Sequence, residues 1–575
     1  MMNDLQLIHE RVDDIPLLYG VMKKLHLPEL LDCQLGNHGL HQGVSNGHLA
    51  AIWLMYILSE GDHRKSGVQD WVDRHRQTLE KLLGQGLRVG IEANDERLGI
   101  VLQRLSKDEA WERLEAALWT ASVAVYRLEL AGVRLDSTTT YGYHAVGEEG
   151  LMQFGHSKDH RPDLPQVKLM AAAAEPSGQL LACDVVTGER ADDRLYTPLI
   201  QRVRQMVSQT GLLYTGDCKM ASLATRAEIV AHGDYYLTSL PMTGETAGQF
   251  EGWVEAVVSG EQDAQLVWVD GQILGGGYEF ERSLSAQSGQ ETLTWRERVQ
   301  IFRSLALAKR QAETLEQRLA QAETELQQLT PPPGRGKRQF QEEAGLQLAI
   351  QQVLERHQVT GLLQVAYQRE ERTQTRLLGR GRPGPNRPTQ AVSHVRYVIT
   401  QVQCDETAIQ ERKYRLGWRN HITNLPAERM SLSQTVAHYR GGWVLENDFH
   451  LLKDRPLGIS PLFVRLDDQI LGLTRLLTLA LRLLTLIQTQ VRSSLQQTGE
   501  VLAGLFEGQP NRTTNQPTAT RLLMAVSRQE TTLTRVVIGQ QSFWHLTPLT
   551  DLLVQVLKHL DVLSSTYLRL ADNSP

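Results

Sequence analysis

The stretch that decides the fold reads Tyr439-Arg-Gly-Gly-Trp-Val-Leu-Glu446-Asn-Asp-Phe-His-Leu-Leu-Lys453. Its tyrosine, its glutamate and its final lysine follow one another at intervals of seven residues. On a helix, that spacing places Tyr439, Glu446 and Lys453 along one face. A row made of a phenol, a carboxylate and an ammonium group is atypical of a core face. It indicates a face that binds a metal ion and a phosphate.

Two aspartates upstream each follow a short apolar run, in Val133-Arg-Leu-Asp136 and in Leu212-Leu-Tyr-Thr-Gly-Asp217. A carboxylate in such a place is costly to bury unless a cation compensates its charge. Taken singly, Asp136 and Asp217 could equally be turn residues, and Glu446 a solvated helix residue. Together, two strand aspartates and a helix glutamate supply the oxygen ligands that a pair of magnesium ions requires.

This combination resembles the DDE transposases of bacterial insertion sequences, and among them the subgroup whose third-acid helix reads Tyr-x2-Arg-x3-Glu-x6-Lys. Tyr439, Glu446 and Lys453 fit that frame, whereas Gly442 stands at its arginine position. The segment Gly155-His-Ser-Lys-Asp-His-Arg-Pro-Asp163 is similar to the one that follows the first aspartate in these proteins. The turn around Asp217 is similar to their second-aspartate turn. The resemblance covers residues 5–490.

The resemblance implies an α/β fold with a ribonuclease H-like mixed-sheet catalytic core. It also implies an N-terminal helical domain and a large mixed α/β insertion before the third-acid helix. We therefore expect an N-terminal helical domain that binds DNA ends (1–128), the first part of the core (129–240), an insertion with a helical hairpin (241–424), the third-acid helix and its successor (425–490), and a C-terminal helical region (491–575).

The order of the predicted elements agrees with this fold. A first strand ends near Leu135, and Val167–Ala174 and Gln179–Thr187 read as a hairpin with a turn at Glu175-Pro-Ser-Gly178. Further strands at Leu212–Thr215 and Tyr235–Leu240 alternate with helices, which gives the order βββαβαβ. The first and fourth strands must lie side by side to bring Asp136 and Asp217 together.

The third-acid helix is predicted to begin at Ser431, because Gln434 three residues later completes a capping box. Its buried side is predicted from residues at helical spacing, namely Leu432, Val436, Leu445, Phe449 and Leu452. The pair Gly441-Gly442 costs such a helix roughly 1 kcal/mol per glycine relative to alanine. We therefore expect a close backbone approach at that point.

The implied activity is phosphodiester hydrolysis and strand transfer at the terminal inverted repeats of an insertion sequence. Asp136, Asp217 and Glu446 would be the catalytic residues and would bind Mg²⁺, for which Mn²⁺ can substitute. Tyr439 and Lys453 would hold a DNA phosphate. His450, one turn after Glu446, is a candidate phosphate contact. Lys158 and Arg161 lie in a polar loop that either contacts the DNA backbone or is solvated.

The implied partner is double-stranded DNA, as inverted repeats and as target, bound by a homodimer. Gly442 cannot form the forked contact that a guanidinium makes with a phosphate, which leaves open whether cleavage passes through a hairpin. In a straight helix, Arg440 would point about 120° away from Glu446. Two alternatives stay open: a domesticated DNA-binding protein that has lost cleavage, and a structure-specific nuclease.

The composition is that of an ordinary soluble protein, with 575 residues, 41% hydrophobic residues and a net charge of −6. DNA contact must therefore rely on local basic faces, such as the Pro/Gly-rich loop at 379–388. Four scattered cysteines and the lack of a visible signal peptide favour the cytoplasm.

Residues 470–488 are apolar, but Arg475 and Arg482 interrupt them. They predict a buried helix rather than a membrane span.

Overall fold

A computed structural model describes residues 5–288, 291–337, 339–378 and 389–572. They form a mixed α/β protein whose largest sheet has nine strands, accompanied by a three-stranded and a two-stranded sheet. The basic loop at 379–388, predicted as a DNA contact, lies outside the described residues.

The N-terminal part begins with a strand and continues as helices. Its elements are β1 (Leu5–Arg11), α1 (Ile15–Lys24), α2 (Leu27–Leu35), α3 (Asn46–Glu60), α4 (Lys65–Arg74), α5 (Arg76–Leu83), α6 (Asp95–Leu105) and α7 (Asp108–Tyr126). The central part contains β2 (Gly132–Tyr141), β3 (Gln166–Glu175), β4 (Leu180–Thr187), α8 (Tyr196–Met206), β5 (Leu213–Thr215), α9 (Leu223–Ala231), β6 (Tyr235–Thr238) and α10 (Glu245–Val258).

The part predicted as the insertion (241–424) contains α10 and then β7 (Gln265–Val269), β8 (Gln272–Ser288), β9 (Glu291–Arg303), α11 (Leu305–Gln328), α12 (Glu343–Arg356), β10 (Leu363–Leu377), β11 (Thr389–Cys404), α13 (Glu406–Tyr414) and β12 (Trp418–Thr423). The C-terminal part contains α14 (Leu432–Arg440), α15 (Trp443–Lys453), α16 (Asp467–Thr498), α17 (Ala519–Ser527), β13 (Thr532–Ile538), β14 (Gln541–Leu546), α18 (Asp551–Leu560) and α19 (Ser565–Leu568).

The large sheet has the order β4-β3-β2-β5-β6-β12-β9-β8-β7. Strands β2, β3 and β4 form an antiparallel meander, whereas β2, β5 and β6 run parallel to one another. The predicted hairpin of β3 and β4 is confirmed, and so is the contact between the first and fourth strands. The sheet then continues into the predicted insertion, because β12 pairs with both β6 and β9.

The two chain ends meet in a small sheet that the sequence did not predict. Strand β1 pairs with β13, which pairs with β14. The predictions of helices alone for the N-terminal domain and for the C-terminal region were therefore wrong in these segments. Both segments are short and partly exposed, so neither carries the long alternation that marks a strand in the sequence.

Helix α16 lies at the centre of the largest hydrophobic core, between the N-terminal helices and the sheet. It is long and apolar enough to span a membrane, but 94% of its most apolar window is buried inside the protein. Arg482 contacts the carboxylate of Glu115, and Arg475 contacts that of Asp108. The prediction of a buried helix is confirmed. Within the protein, the two arginines connect α16 to α7.

Helices α11 and α12 form the predicted helical hairpin and share a separate hydrophobic core with the ribbon of β10 and β11. Leu315, Leu319 and Leu326 of α11 lie in that core, as their helical spacing predicted. This unit therefore has its own hydrophobic core at the far end of the insertion, while β7, β8, β9 and β12 belong to the main sheet.

The third-acid helix begins as predicted, with both hydrogen bonds of the Ser431–Gln434 capping box present. It is then interrupted at Gly441-Gly442, so that α14 and α15 are separate helices. In an unbroken helix, the carbonyl groups of His438 and Tyr439 would accept hydrogen bonds from residues 442 and 443. Here they accept hydrogen bonds from the amides of Gly441 and Gly442, three residues later, and the guanidinium of Arg134 donates to both as well, at 2.8 and 3.4 Å.

Candidate active site

Asp136 and Asp217 lie at the same level of two neighbouring parallel strands. Arg134 of β2 is paired with Thr215, the last residue of β5. Two residues further along each chain come Asp136 and Asp217, and adjacent strands are about 4.8 Å apart. Their mutual charge effect agrees with this placement, because Asp217 contributes to raising the pKa of Asp136.

Asp136 is a half-buried carboxylate next to a lysine. Its Oδ1 atom accepts a hydrogen bond from the amide of Ser137 at 2.7 Å and lies 3.3 Å from the Nζ atom of Lys158. Burial is the main cause that raises its pKa, while Lys158 opposes that shift. The site therefore holds two close carboxylates whose charged forms are favoured by added positive charge.

Asp217 is held by the turn that follows β5. Its Oδ1 atom accepts hydrogen bonds from the amide of Lys219 at 2.9 Å and from the hydroxyl of Tyr196 at 2.6 Å. Thr238 of β6 donates to its backbone carbonyl at 2.6 Å. Burial and then the charge of Asp217 raise the pKa of Tyr196 well above its usual value, so Tyr196 acts as a neutral donor.

A third aspartate near this pair was missed by sequence reasoning. Asp192 forms an ion pair with Lys168 of β3 at 2.5 Å, accepts a hydrogen bond from Ser137 at 3.1 Å, and lies 4.0 Å from the Nζ atom of Lys158. Asp192 stands in a polar turn without any motif. The available signal was Lys168, a cation next to the apolar run Leu169–Ala174 in a fully buried strand, which needs an anionic partner.

Helix α15 packs over the face of β2 that carries Asp136. Side chains alternate along a strand, so Asp136 faces the same side as Arg134, which contacts the end of α14. A Cβ atom on Gly442 would lie 3.3 Å from the Arg134 guanidinium. Glu446 follows Gly442 by about 6 Å along α15, and Asp136 follows Arg134 by about 6.6 Å along β2. At the other end of α15, Lys453 contacts Asp159, which is bound to Thr139 of β2. Helix α15 therefore follows the direction of β2, and Glu446 lies along the same stretch as Asp136.

The carboxylate of Glu446 nevertheless does not join the two aspartates. It is exposed and lines a cavity with Tyr439, His421 and Gly442, and neither aspartate lines that cavity. Across the described residues, no three His, Cys, Asp or Glu side chains are grouped closely enough to hold a metal ion. The sequence predicted that Asp136, Asp217 and Glu446 converge. The structure brings the two aspartates together and leaves the glutamate side chain turned away.

Tyr439 stands between the aspartate pair and the Glu446 cavity. Its hydroxyl lies 3.5 Å from that of Ser239, and its ring centroid lies 4.1 Å from the ring of His421. Burial raises the pKa of Tyr439, and the charge of Asp217 adds to the shift. The break at Gly441-Gly442 divides the predicted row between α14, which carries Tyr439, and α15, which carries Glu446 and Lys453. Tyr439 and Glu446 still line one cavity.

Lys453, the last residue of α15, lies near the strand β2 that carries Asp136. Its Nζ atom lies 2.6 Å from Oδ1 of Asp159, whose Oδ2 accepts a hydrogen bond from Thr139 of β2 at 3.0 Å. The adjacent Lys158 contacts Asp136. The loop at 158–159 thus links Lys453 to the aspartate site through two consecutive ion pairs.

The remaining predicted phosphate contacts lie further out. His450 is largely exposed and pairs with Asp454 at 2.5 Å, within its own helix. Arg161 pairs with Asp163 at 2.8 Å and lies over the ring of Tyr141. Both side chains are accessible from solvent, and each contacts a nearby carboxylate in this structure.

The two aspartates are oxygen ligands of the kind that hard divalent cations prefer. Asp136 and Asp217 present carboxylates at the ends of adjacent strands, and burial together with like charge makes a pair of anions unfavourable there without a cation. Lys158 supplies part of that positive charge in this structure. Glu446 is exposed and is carried on α15, the helix whose start lies against Arg134 of β2.

Comparison with known proteins gives little beyond this geometry. No protein-family model matches the chain, and no curated protein matches it either. Among solved structures, the chain is similar to one in the cryo-EM structure of a piggyBac transposase synaptic complex with hairpin DNA. That match has 9% sequence identity and a TM-score of 0.26, and it covers 52% of this chain and 61% of that chain. A similarity of this size supports no inference about activity.

Proposed function

We propose that this protein is a DDE transposase of an insertion sequence. It would cleave DNA at terminal inverted repeats and join the ends to a target. The observation that carries the proposal is the register that sets Asp136 and Asp217 side by side, two residues beyond the Arg134–Thr215 pair of β2 and β5. Paired carboxylates at that position suit a two-metal phosphodiester reaction.

The strand order supports the finer proposal of a ribonuclease H-like core. An antiparallel meander (β4-β3-β2) followed by two parallel strands (β5 and β6) is the arrangement that the order βββαβαβ predicts for such a core. Helix α15 then packs on the face of β2 opposite the helices that follow β4 and β5. In this fold the third acid is delivered by that helix, and Glu446 lies on α15 along the same stretch as Asp136.

Each residue has a distinct role in this mechanism. Asp136 and Asp217 would hold Mg²⁺ or Mn²⁺, and Glu446 would turn towards them to complete the ligand set. The bound metal ions would activate the attacking water or 3′-hydroxyl group and stabilise the leaving oxygen. Lys158 would leave Asp136 and place its charge against the DNA backbone. Tyr196 would keep Asp217 oriented through its hydrogen bond.

Double-stranded DNA would lie along the edge of the sheet where α15 ends. Lys453 would exchange Asp159 for a DNA phosphate, with Tyr439 donating to the same strand. His450 and Arg161 would add outer phosphate contacts, which position the duplex without reading its sequence. We further propose that two copies of the chain act together on two DNA ends, in the cytoplasm.

The test uses the purified chain and duplex DNA that carries the repeats flanking its gene. Wild type is expected to nick this DNA only when Mg²⁺ is present. Asp136→Ala, Asp217→Ala and Glu446→Gln should each abolish nicking while binding stays nearly unchanged, because binding rests on phosphate contacts. Glu251→Ala, on exposed α10, is the matched control and should cleave normally.

Three other outcomes would contradict the proposal. Binding of the repeats by wild type without any cleavage would indicate a DNA-binding protein that has lost catalysis. Cleavage of branched DNA irrespective of the repeats would indicate a structure-specific nuclease. Full nicking by any of the three acid variants would remove that residue from the metal site.

A further inference from the structure

A cavity of about 430 Å³ lies beside Glu446, between the start of α11, strand β12 and the break between α14 and α15. Three arginines from three different elements line it: Arg310 of α11, Arg419 of β12 and Arg440 of α14. All three are exposed, and within the described part of the chain none of them forms an ion pair with a carboxylate. Glu446 is the carboxylate among the lining residues. The cavity therefore carries an excess of uncompensated positive charge.

The helix break brings Arg440 into this cavity. In a straight helix it would point about 120° away from Glu446. Because α14 ends at Arg440 and α15 starts anew at Trp443, Arg440 and Glu446 line the same space. The expectation that Arg440 points elsewhere was wrong, and the Gly441-Gly442 break is the physical reason.

Gly442 also lines the cavity, and the space beside it is already taken. The Arg134 guanidinium lies 3.3 Å from the position of a Cβ atom on Gly442. Arg134 itself is not available to a ligand: its side chain is only 8% exposed, and it is bound by Glu175 at 2.7 Å and by two backbone carbonyls. A guanidinium for this cavity must therefore come from another element.

The inner wall of the cavity is uncharged. His421 is buried next to Phe302 and Tyr439, and burial lowers its pKa to about 3, so its ring is neutral near pH 7. The positive charge of the cavity comes from the three arginines at its rim, which face solvent. A rim of guanidinium groups around an uncharged wall suits an anion with attached apolar or neutral groups, such as a phosphodiester with its sugars.

We propose that this cavity binds a phosphate of the cleaved DNA strand next to Glu446, through Arg310, Arg419 and Arg440. These three residues, on three different elements, would provide the guanidinium contact that the Tyr-x2-Arg-x3-Glu-x6-Lys frame assigns to the position of Gly442. The inference rests on the proposed function, since it requires DNA at this sheet edge. A volume of about 430 Å³ lies within the range of about 300–1,000 Å³ typical of ligand sites, and it is large enough for one phosphate and its neighbouring sugar.

The test measures binding of the terminal-repeat duplex as a function of salt. Binding is measured without metal in the Asp136→Ala background, so that cleavage does not interfere. Arg310→Ala, Arg419→Ala and Arg440→Ala should each reduce the slope of log K against log salt. The three substitutions together should reduce it by about one, because the site neutralises one phosphate, which is close to tenfold in affinity at about 0.1 M salt. Arg419→Lys should keep that slope, because it keeps the charge.

Cleavage by the same substitutions in the otherwise unchanged chain provides the second readout. Arg419→Lys should cleave more slowly than wild type although it binds DNA equally well, because lysine keeps the charge but loses the forked geometry. The control is Arg318→Ala on the same helix α11, whose guanidinium donates to Gln358 at 2.9 Å away from the cavity. It should change neither the salt slope nor the cleavage rate.

The outcomes separate the two proposals. If wild type cleaves the repeats and the three alanine variants keep its salt slope, the cavity is not a phosphate site and the transposase proposal stands. If Arg318→Ala loses as much affinity as the cavity variants, the effect is general electrostatics and the inference is overturned. If wild type neither binds nor cleaves the repeats, the proposed function fails and this inference fails with it.

Discussion

Lys453 and Asp159 form an ion pair, with 2.6 Å between Nζ and Oδ1, at the end of the helix that carries Glu446. Both side chains are mostly buried, at 22% and 11% exposure. The next residue in the loop, Lys158, contacts Asp136. Without DNA, the two lysines proposed to grip its backbone are therefore held by aspartates. A phosphate arriving at this edge would compete with Asp159 for Lys453.

The first prediction follows from that competition. Asp159→Asn removes the competing charge, so affinity for terminal-repeat DNA should rise. Lys453→Ala should slow cleavage on the order of a hundredfold while weakening binding by less than about tenfold, because it removes one phosphate contact of many but a positioning charge from the reaction. Binding and cleavage are measured at one salt concentration. Equal losses in both would indicate a general electrostatic role.

The matched control for this experiment is Lys558→Ala. Lys558 is an exposed lysine that pairs with Glu500 at 2.7 Å near the C-terminus. Its removal should leave both DNA binding and cleavage unchanged. If Lys558→Ala reduced DNA binding and cleavage as much as Lys453→Ala does, the effect of Lys453 would not be specific to its position at the end of α15.

The second prediction concerns the space at Gly442. Gly442→Ala places a Cβ atom 3.3 Å from the Arg134 guanidinium, which Glu175 and two carbonyls hold in place. We expect the free energy of unfolding to fall by about 1 kcal/mol, as is typical of mild overpacking. Gly442→Arg should lower the free energy of unfolding further, because it sets a second guanidinium beside Arg134. For the same reason, we do not expect it to provide a phosphate contact.

Gly252→Ala is the matched control for Gly442→Ala. Gly252 lies inside α10 with nothing within 4 Å of its Cβ position. There, alanine should raise the free energy of unfolding by about 0.5–1 kcal/mol through helix propensity alone. Urea unfolding compares the two variants. If Gly442→Ala raised the free energy of unfolding by a similar amount, the Arg134 side chain would be able to move aside and would not determine the helix break.

The sequence predicted the central strands well because their signals are local. The hairpin turn at Glu175-Pro-Ser-Gly178 and the apolar runs that end at Asp136 and Asp217 each lie within one short segment. The hydrophobic spacing of α15 also predicted its buried side, and Leu445, Phe449 and Leu452 lie in the main core. The order of these elements permitted the adjacency of the two aspartates without requiring it, and the pairing of β2 with β5 in the structure establishes it.

Features that depend on distant residues could not be predicted. The break in the third-acid helix is stabilised by Arg134, which is about three hundred positions earlier in the chain and donates to the carbonyl groups at the end of α14. Pairing of β1 with β13 joins opposite ends of the chain. The ion pair between Lys168 and Asp192 required knowledge of which loop approaches β3. In each case the partner, rather than the local pattern, determines the geometry.

The third prediction tests the buried charges around α16. Glu115 is fully buried and contacts Arg482 and Arg202, both nearly buried. Glu115→Gln removes the negative charge, which leaves Arg482 without a carboxylate partner among the described residues and Arg202 with Asp184 alone. The loss should cost about 3–5 kcal/mol of stability. The control is Glu109→Gln in the exposed pair with Arg113, which should cost less than about 1 kcal/mol. Chemical unfolding of both variants measures the difference, and equal costs would contradict a buried network.

The fourth prediction concerns pH and Asp14, the residue before α1. Asp14 is buried, and its Oδ1 atom accepts a hydrogen bond from Ser59 of α3 at 2.7 Å. Burial raises its pKa from 3.8 to about 7 in the folded protein. A raised pKa means that the folded state binds more protons than the unfolded state between these two values. The stability due to this group is therefore complete below about pH 4 and is lost as the pH rises through about 7.

Asp14→Asn removes that titration while keeping an acceptor for Ser59. Between pH 4 and pH 7, the melting temperature of wild type should decline relative to that of Asp14→Asn, so the difference between them should change steadily across this window. Asp263→Asn, at an exposed position, should follow the wild-type curve. Thermal unfolding followed by circular dichroism at several pH values makes the comparison. Parallel curves for wild type and Asp14→Asn would show that Asp14 is ionised in the folded protein throughout the window.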